Sequence, residues 1–389
     1  MTYRIGVIGA GASPDDPDQD GYAMAYRHAD AYRARDDCSL VACADIVPEN
    51  AQQFADHYDI SGVYEDYRKM LDKERVDIVS VCVPPRIHAD IVRGCADYGD
   101  LAAVHCEKPM ATSWADCREM CEACERAEIE LTFNHQIRFG RVYRKAKALV
   151  DDGRIGALRR IEWADEELYD SGTHMFDVSA YLTDQCPVEW VMTALDYREE
   201  NRWFGVHNSN QALAQWRYES GVFGLATTGR SQDALGAKLR LVGTDGAVEV
   251  GVSDGPPLRV RTPKTLGWRT VDVGEDIWGN PEYATRRGLA RAGIRRGAET
   301  LRTALPVVSA GRSRTTLLGR AIASVIDGIE GDDPSELYCR NALQSTELIF
   351  ASWESARRRA RVDLPLDIDD NPLEAMVEQN LLPVSAGEA

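Results

Sequence analysis

Lysine is scarce in this chain of 389 residues: 7 of its 45 basic residues are lysine and the other 38 are arginine. The 63 acidic residues bring the net charge to −18. Such an acidic surface argues against nucleic acid as a partner, because phosphate backbones bind basic patches. An acid-rich, lysine-poor composition is typical of proteins from a salt-loaded cytoplasm, where salt screens self-repulsion. A GC-rich genome that favours arginine codons is the alternative explanation of the low lysine count.

Long apolar runs are also missing. No stretch approaches the roughly 18 uninterrupted apolar residues of a membrane span, and no signal peptide precedes the first predicted strand. We therefore expect a cytoplasmic protein that does not enter a membrane. The length allows about two or three domains, each with its own core.

The 10 cysteines do not follow a metal-binding pattern. Cys117, Cys121 and Cys124 share one face of a predicted helix, but a zinc site would need a fourth ligand, and none is visible. Most other cysteines fall in or beside predicted core elements, where free cysteine behaves as a small apolar residue. The sequence therefore predicts no metal site.

A dinucleotide-binding turn follows the first strand, but its third glycine is absent. Residues 3–8 read as a strand, Gly9 and Gly11 begin a G-x-G-x-x-G fingerprint, and Pro14 stands where the third glycine is expected. We interpret residues 13–20 as a polar insertion, with Gly21 near the third glycine's place at the start of a helix. Asp45 ends the second strand 24 positions after Gly21, close to the usual spacing of the carboxylate that binds the ribose hydroxyls.

Further strands and helices alternate along the first third of the chain. Strands are predicted at residues 76–83, 101–106 and 130–134, with helices at 88–98 and 113–127. This alternation is typical of a doubly wound parallel sheet, an α/β Rossmann fold. We place this domain at residues 1–132.

The second half favours an α+β domain with a large, mostly antiparallel sheet. Short turns such as residues 219–221 and 243–246 join the runs with strand character. Those runs are residues 158–163, 188–197, 211–218, 222–228, 237–242, 247–252 and 258–261. Helices are expected at 317–329 and 336–360. The domain is assigned to residues 133–370 and a C-terminal tail to 371–389.

Lys108 is the most informative side chain, because it follows the strand at 101–106. Ligands of an open parallel sheet bind at the carboxyl ends of its strands, and Pro109 biases Lys108 away from helix, onto a fixed turn. Asp170 and His174 follow later, four positions apart, on one side of a helical turn. A lysine, an aspartate and a histidine beside a dinucleotide site suit hydride transfer to or from an alcohol.

In this order the motifs resemble those of the Gfo/Idh/MocA family (glucose–fructose oxidoreductase, inositol dehydrogenase). The resemblance covers residues 3 to about 370. The segments that carry it are residues 9–11, Asp45, 83–85 with His88, 107–109, 133–136 with Arg138, 153–156 and 170–177, together with 343–353 and 364–366.

The resemblance implies roles for individual residues. Lys108 would contact the nicotinamide ribose and the substrate hydroxyl, Asp170 would orient the substrate, and His174 would act as general base. His135 and Arg138 would border the substrate pocket, although Arg138 could instead pair with an acid, and Asp177 would orient His174 or cap. The cofactor-binding residues would be Gly9, Gly11, Gly21, Asp45, Pro84, His88, Glu107 and Lys108.

The expected activity is that of an NAD(P)-dependent oxidoreductase that transfers hydride between a nicotinamide cofactor and a sugar, polyol or inositol hydroxyl. Asp45 favours NAD over NADP, because a carboxylate repels the 2′-phosphate. The alternatives are a redox-neutral NAD-dependent sugar hydrolase or epimerase and a non-catalytic nucleotide-binding sensor. By analogy we expect a homodimer or homotetramer.

Two segments have no assigned role. Only six residues separate Trp163 from Asp170, where relatives commonly carry a longer loop over the substrate. The pocket is therefore either more open or covered by another segment or subunit. The arginine-rich stretch from Arg286 to Arg302 favours a solvated or interface helix over a site for anionic sugar acids or phosphates.

Overall fold

A computed structural model describes residues 2–14, 23–280 and 316–382 of the chain. Its first sheet has six parallel strands in the order β3-β2-β1-β4-β5-β6. The strands are β1 Tyr3–Ile8, β2 Cys38–Ala44, β3 Gly62–Tyr64, β4 Ile78–Val81, β5 Ala103–Cys106 and β6 Glu130–Phe133. The helices between and after them are α1 Met24–Arg33, α2 Pro48–Tyr58, α3 Tyr67–Lys73, α4 His88–Tyr98, α5 Trp114–Arg126, α6 Arg141–Asp151 and α7 Gly172–Leu182.

The strand order reverses between β1 and β4, which lie side by side in the sheet. Each strand is short, and β1, β4, β5 and β6 are almost entirely buried, because helices cover both faces of a parallel sheet. A crevice opens at the carboxyl ends of the strands where the order reverses, and ligands of such folds bind there. The doubly wound fold predicted from the alternating pattern is confirmed.

The second sheet has nine strands in the order β16-β15-β14-β13-β7-β12-β11-β8-β17. Among its neighbouring pairs only β7 with β12 is parallel, so the predicted mostly antiparallel sheet is also confirmed. Separate from it, β9 and β10 form a two-stranded hairpin. The strands are β7 Leu158–Asp165, β8 Val188–Asp196, β9 Arg202–Trp203, β10 Val206–His207, β11 Gln211–Tyr218, β12 Phe223–Thr228, β13 Ala237–Gly243, β14 Ala247–Val252, β15 Leu258–Arg261, β16 Arg269–Thr270 and β17 Val362–Asp363.

The helix Leu317–Glu330 belongs to the second half of the chain but packs on the first sheet. Its apolar side chains join a buried cluster with residues of β1, β4 and β5. In that cluster Leu318, Ile322 and Val325 lie with Ile5 and Ile78, all of them at most 4% exposed. The helix therefore covers part of one face of the first sheet.

The long helix Cys339–Arg358 contacts α5, α7 and β8, so it joins the two halves of the chain. Directly before and after Cys339, Tyr338 and Arg340 both bind the carboxylate of Glu125 on α5, the tyrosine hydroxyl at 3.0 Å and the guanidinium Nε at 2.6 Å. On the same helix, Trp353 is completely buried.

The segment assigned to a tail begins with a further helix, Pro372–Glu378. Asn371 caps it by accepting the backbone N–H groups of Leu373 and Glu374 at 3.0 and 3.1 Å. Leu373 and Met376 of this helix are buried. Seven residues are too few for apolar periodicity to stand out, and the sequence analysis did not predict this helix.

Two segments singled out in the sequence lie largely or wholly outside the described residues: the polar insertion at 13–20, of which Ser13 and Pro14 are described, and the arginine-rich stretch from Arg286 to Arg302. Within the described part of the chain, no helix combines the length and apolarity needed to cross a bilayer. The same residues contain no group of three histidine, cysteine, aspartate or glutamate side chains arranged to hold a metal ion.

Candidate active site

The turn after β1 has the backbone geometry of a phosphate-binding turn. Gly9 and Gly11 have φ of 84° and 64°, in the left-handed region that favours glycine. A Cβ on Gly9 would come within 2.6 Å of Val83, whereas a Cβ on Gly11 would have no atom within 4 Å. Both glycines line a large cavity, together with Ala23 and Met24 at the start of α1. Backbone groups thus face the cavity here.

Gly21, which the sequence interpretation placed near the third glycine's position, lies outside the described residues. The helix α1 begins at Met24. Ala25, in the first turn of α1, is 2% exposed and lies in one buried cluster with Val7 and Ala10. The first turn of α1 therefore packs closely on β1.

Asp45 follows β2 and lies beside the glycine turn. Its Oδ2 accepts the backbone N–H of Gly11 at 2.9 Å, and its Oδ1 accepts that of Val47 at 2.9 Å. The carboxylate is thereby held next to the turn. This is where a carboxylate at the end of the second strand meets the ribose of a bound dinucleotide.

Lys108 lies at the carboxyl end of β5, and the peptide bond between it and Pro109 is cis. Its Nζ donates to Asp170 Oδ1 at 2.7 Å and to the Asp170 carbonyl oxygen at 3.2 Å. Burial alone would lower the pKa of Lys108, but Asp170 outweighs it and the pKa is raised. The ammonium therefore stays charged where it lines the cavity.

Glu107 was predicted to bind the cofactor, and the structure places it mainly in a buried network behind Lys108. Its Oε1 accepts from His28 Nε2 at 2.8 Å and from Asn134 Nδ2 at 2.7 Å. Its Oε2 accepts the backbone N–H of Lys108 at 3.2 Å. His28, in turn, lies 2.6 Å from the Ser80 hydroxyl through Nδ1. This network fixes the backbone from which the Lys108 side chain extends.

The charges of this network are strongly coupled. Burial opposes ionisation of Glu107, but its hydrogen bond and ion pair with His28 prevail and lower its pKa to about 2. Burial likewise opposes protonation of His28, while Cys82 and Glu107 raise its pKa to about 10. The contact between Glu107 and His28 favours the charged form of each group, so the two form a buried ion pair at neutral pH.

His88 and Pro84 have separate positions. Pro84 lines the cavity, whereas His88 is completely buried. The ring of His88 lies between two turns, with Nε2 2.7 Å from the Val83 carbonyl oxygen and Nδ1 2.9 Å from that of Pro109. It joins the ends of β4 and β5, so its geometry suits holding these turns together more than touching a cofactor.

Asp170 and His174 lie at the start of α7, and both line the cavity with Lys108. Burial, the Lys108 ammonium and His135 together lower the pKa of His174 well below its ordinary value. The imidazole is therefore neutral at physiological pH. Lys108 is 62 positions before Asp170 in the sequence. The structure brings it into one cavity with Asp170 and His174, at the strand ends.

His135 and Arg138 lie behind α7 and are not among the residues that line the described cavity. Arg138 is 1% exposed and binds Asp177 with two nitrogens, Nε at 2.8 Å and Nη2. His135 contacts Thr173 Oγ1 at 3.1 Å and Asp177 at 3.3 Å. Burial raises and Arg138 lowers the pKa of Asp177, and the net result is about 2. These residues support α7 on the side away from the cavity. For Arg138 this agrees with the alternative that it pairs with an acid.

A hairpin that the sequence analysis did not predict reaches across to the first domain. Strands β9 and β10 flank Phe204 and Gly205, whose φ values are 47° and 77°, as in a two-residue type I′ turn. Phe204 lines the cavity, and the Gly205 carbonyl accepts from the Arg86 guanidinium, just beyond Pro84 and Pro85. The usual sequence signal for such a turn is Asn-Gly; phenylalanine at its first position gave none.

A second set of unpredicted residues forms another part of the cavity wall. Asp165, at the end of β7, accepts from Lys238 Nζ at 2.5 Å. The ammonium of Lys238 also lies 5.8 Å from the ring centroid of Trp278, which is 54% exposed. All three line the cavity. Asp165 and Lys238 are 73 positions apart in the sequence, and Lys238 and Trp278 are 40 apart, so no local pattern could have joined them.

Comparisons with known proteins match both halves of the chain. Residues 3–135 match the model described as "Oxidoreductase family, NAD-binding Rossmann fold", and residues 159–364 the one described as "Oxidoreductase family, C-terminal alpha/beta domain". Both models belong to the family written Gfo/Idh/MocA.

Among curated relatives, the chain is 26% identical to a myo-inositol 2-dehydrogenase of Thermotoga maritima over 58% of this chain and 68% of that protein. It is 30% identical to a D-glucoside 3-dehydrogenase of Escherichia coli over 46% of this chain and 53% of that protein. These alignments thus span between about half and two thirds of the relatives.

Among solved structures, an NAD-binding oxidoreductase from Klebsiella pneumoniae aligns with a TM-score of 0.72 at 21% identity, over 94% of this chain and all of that one. An oxidoreductase from Agrobacterium radiobacter, in complex with NAD+, L-tartaric acid and magnesium, aligns with a TM-score of 0.69 at 17% identity, over 93% and 98% of the two chains. At these identities the likeness concerns the fold.

Proposed function

This chain belongs to the Gfo/Idh/MocA family of NAD-binding oxidoreductases, and from that premise we propose that it transfers hydride between NAD and a carbon that carries a hydroxyl in a sugar, polyol or inositol. One observation carries the proposal: Lys108 Nζ lies 2.7 Å from Asp170 in the cavity that His174 and the Gly9–Gly11 turn also line. The names of the relatives, an inositol and a glucoside dehydrogenase, support the substrate class.

The residues at the glycine turn fit a dinucleotide. The open space beside Gly11 and the start of α1, which lines the same cavity, leave room for a pyrophosphate, with Asp45 next to them. Lys108 and Pro84 would then lie at the nicotinamide end. Bound there, NAD would supply the hydride acceptor for alcohol oxidation.

Lys108, His174 and Asp170 each have a different role toward the substrate. Lys108 donates a hydrogen bond to the reacting oxygen and stabilises the negative charge that develops on it. His174 is neutral and accepts the hydroxyl proton. Asp170 holds the Lys108 ammonium in place and accepts a hydrogen bond from a substrate hydroxyl.

The pocket is covered in part by the hairpin β9–β10. Its tip residue Phe204 lines the cavity from the second domain, and Arg86 holds the neighbouring carbonyl from the first. This hairpin supplies the cover that the short connection between Trp163 and Asp170 cannot. We propose that Phe204 excludes water from the reacting groups.

The proposed activity is tested by following NADH absorbance with purified protein against a panel of aldoses, polyols, inositols and sugar acids. The assay is run with and without molar KCl, because the net charge of −18 and the expected cytoplasmic, salt-loaded location favour high salt. Reduction of NAD by a panel member supports the proposal. Silence across the panel, with NAD still bound, would favour redox-neutral chemistry or a sensor.

Replacing Asp45 by serine should weaken NAD binding by about 10- to 100-fold, because a hydrogen bond to a charged group contributes about 1.5–3 kcal/mol. NADP binding should change less or improve, since the carboxylate that repels the 2′-phosphate is gone. Cofactor titrations followed by tryptophan fluorescence measure both affinities. The exposed Asp36 is the control: Asp36→Ser should bind like the wild type. Tighter binding of NADP than NAD by the wild type would contradict the assignment.

We propose that the chain forms a homodimer or homotetramer through the open face of the second sheet. Large apolar side chains are exposed on three adjacent strands: Met192 on β8, Leu213 on β11 and Phe223 on β12, each at least 42% exposed. Exposed apolar side chains on neighbouring strands of one sheet favour association there. Light scattering coupled to gel filtration should show a dimer or larger assembly, and Leu213→Glu should shift it toward monomer. A monomeric wild type would contradict the proposal.

A further inference from the structure

The carboxylate of Glu167 accepts hydrogen bonds from three consecutive backbone N–H groups just before α7. Its Oε2 accepts those of Tyr169 and Asp170, both at 2.7 Å, and its Oε1 accepts that of Ser171. These donors include N–H groups that a helix start leaves without partners inside the helix. A negative charge here is also favoured by the helix dipole. One side chain therefore shapes the turn that carries Asp170.

The neighbouring glycine shows how closely this turn is folded. A Cβ on Gly172 would lie 2.4 Å from the carbonyl oxygen of Glu167. Only glycine leaves the room that this approach requires. The backbone at Glu167 and the first residue of α7 are thus in direct contact.

We propose that Glu167 is the positioning residue of this site: by binding the three N–H groups it holds Asp170 against Lys108 and sets the direction of α7, and hence of His174. The inference rests on the proposed function, in which those three side chains meet the substrate. Glu167 itself acts through the turn and needs no contact with the reacting atoms. Glu167 lies within the short connection from β7 to Asp170, where its carboxylate reaches all three N–H groups.

The charges around Lys108 agree with this arrangement. The charged and titratable groups that act on the ammonium are Asp170, Glu107 and Glu167, which raise its pKa, while Lys108 lowers the pKa of the neighbouring His174. Burial and the nearby Asp170 raise the pKa of Glu167, whereas its bonds to Ser171 and Asp170 lower it. The position of Asp170 therefore decides how firmly the ammonium is held.

Two variants separate position from charge. Glu167→Asp keeps the charge but is one methylene too short to reach all three N–H groups, and Glu167→Gln keeps the length but loses the charge and an acceptor. We expect both to lower kcat by about 10- to 100-fold, since misplacement by about 1 Å can cost 10²-fold. Affinity for NAD should not change. The exposed Glu219, in the β11–β12 turn, gives the control Glu219→Gln.

The kinetics are expressed per NAD-binding site, so that loss of folded protein does not count as loss of turnover. A full-rate Glu167→Asp beside a slow Glu167→Gln would mean that charge, not position, matters, and would overturn the proposal. Full rates in both variants would overturn it equally. A fall in both, with NAD affinity kept, is the result expected of a positioning residue.

A second measurement needs no turnover and separates this inference from the proposed function. The rate at which acetic anhydride modifies Lys108 is measured by mass spectrometry, with the exposed Lys69 as internal reference. Asp170 should make Lys108 slow in the wild type, and both Glu167 variants should make it several-fold faster relative to Lys69. An unchanged ratio would overturn the positioning role. A silent substrate panel with a changed ratio would count against the proposed function alone.

Discussion

Replacing Lys108 by methionine is expected to lower kcat/KM by about 10³-fold, within the range that a positioned charge or proton-transfer group contributes. Methionine keeps an unbranched chain of similar length and removes the ammonium. The reacting oxygen then loses its donor, and Asp170 loses the partner at 2.7 Å. Initial rates of NADH formation with the best substrate of the panel measure the effect.

The matched control is Lys69→Met, which removes an exposed lysine of the same domain. It should retain wild-type rates and NAD affinity. Lys108→Met should keep most of its NAD affinity, because the glycine turn and Asp45 remain. If Lys108→Met oxidised the substrate at rates close to those of Lys69→Met, the ammonium would have no part in the chemistry.

Replacing His174 by glutamine is expected to lower kcat for alcohol oxidation by about 10²- to 10⁴-fold, the usual contribution of a general base. The pH profile gives the second sign of its role. Because the pKa of His174 lies well below 6.5, the base is already neutral at pH 6.5, and wild-type kcat/KM should decline only at lower pH. The residual kcat/KM of His174→Gln should not show this decline at low pH.

His57→Gln changes an exposed histidine and is the control for His174→Gln. It should show the wild-type kcat and pH profile. A wild-type acid limb centred at or above pH 6.5 would mean that the titrating group is not the buried, Lys108-facing imidazole. An acid limb that persists unchanged in His174→Gln would mean that a group other than His174 titrates.

The meeting of Lys108, Asp170 and His174 could be predicted because it depends on topology. The carboxyl ends of parallel strands meet at one edge of a sheet, and the family motif adds the turn that brings Asp170 there. The resemblance to the Gfo/Idh/MocA family is confirmed by matches to both of its domains. The roles assigned to Lys108, Asp170 and His174 stay predictions until the variants are measured.

The support of these residues could not be predicted in the same way. His28 lies on a helix whose apolar pattern explains its burial, and nothing in the local sequence joins it to Glu107, 79 positions later. The family resemblance assigned His88 to the cofactor and His135 to the substrate pocket. Whether such a side chain faces a cavity or braces a turn depends on side-chain packing, which sequence spacing does not encode.

The helix Leu317–Glu330 has a consequence for the order in which the protein can be made. Its side chains Leu318 and Ile322 cover Ile5 and Ile78 of the dinucleotide-binding sheet. During synthesis, β1 and β4 leave the ribosome more than two hundred residues before the helix that covers them, at roughly 5–20 residues per second. For that interval the apolar part of the sheet face that this helix covers stays exposed, open to chaperones or to self-association. In a truncated chain of residues 1–132 the covering helix is absent, so this apolar surface stays exposed. Such a chain should be recovered mainly as aggregate.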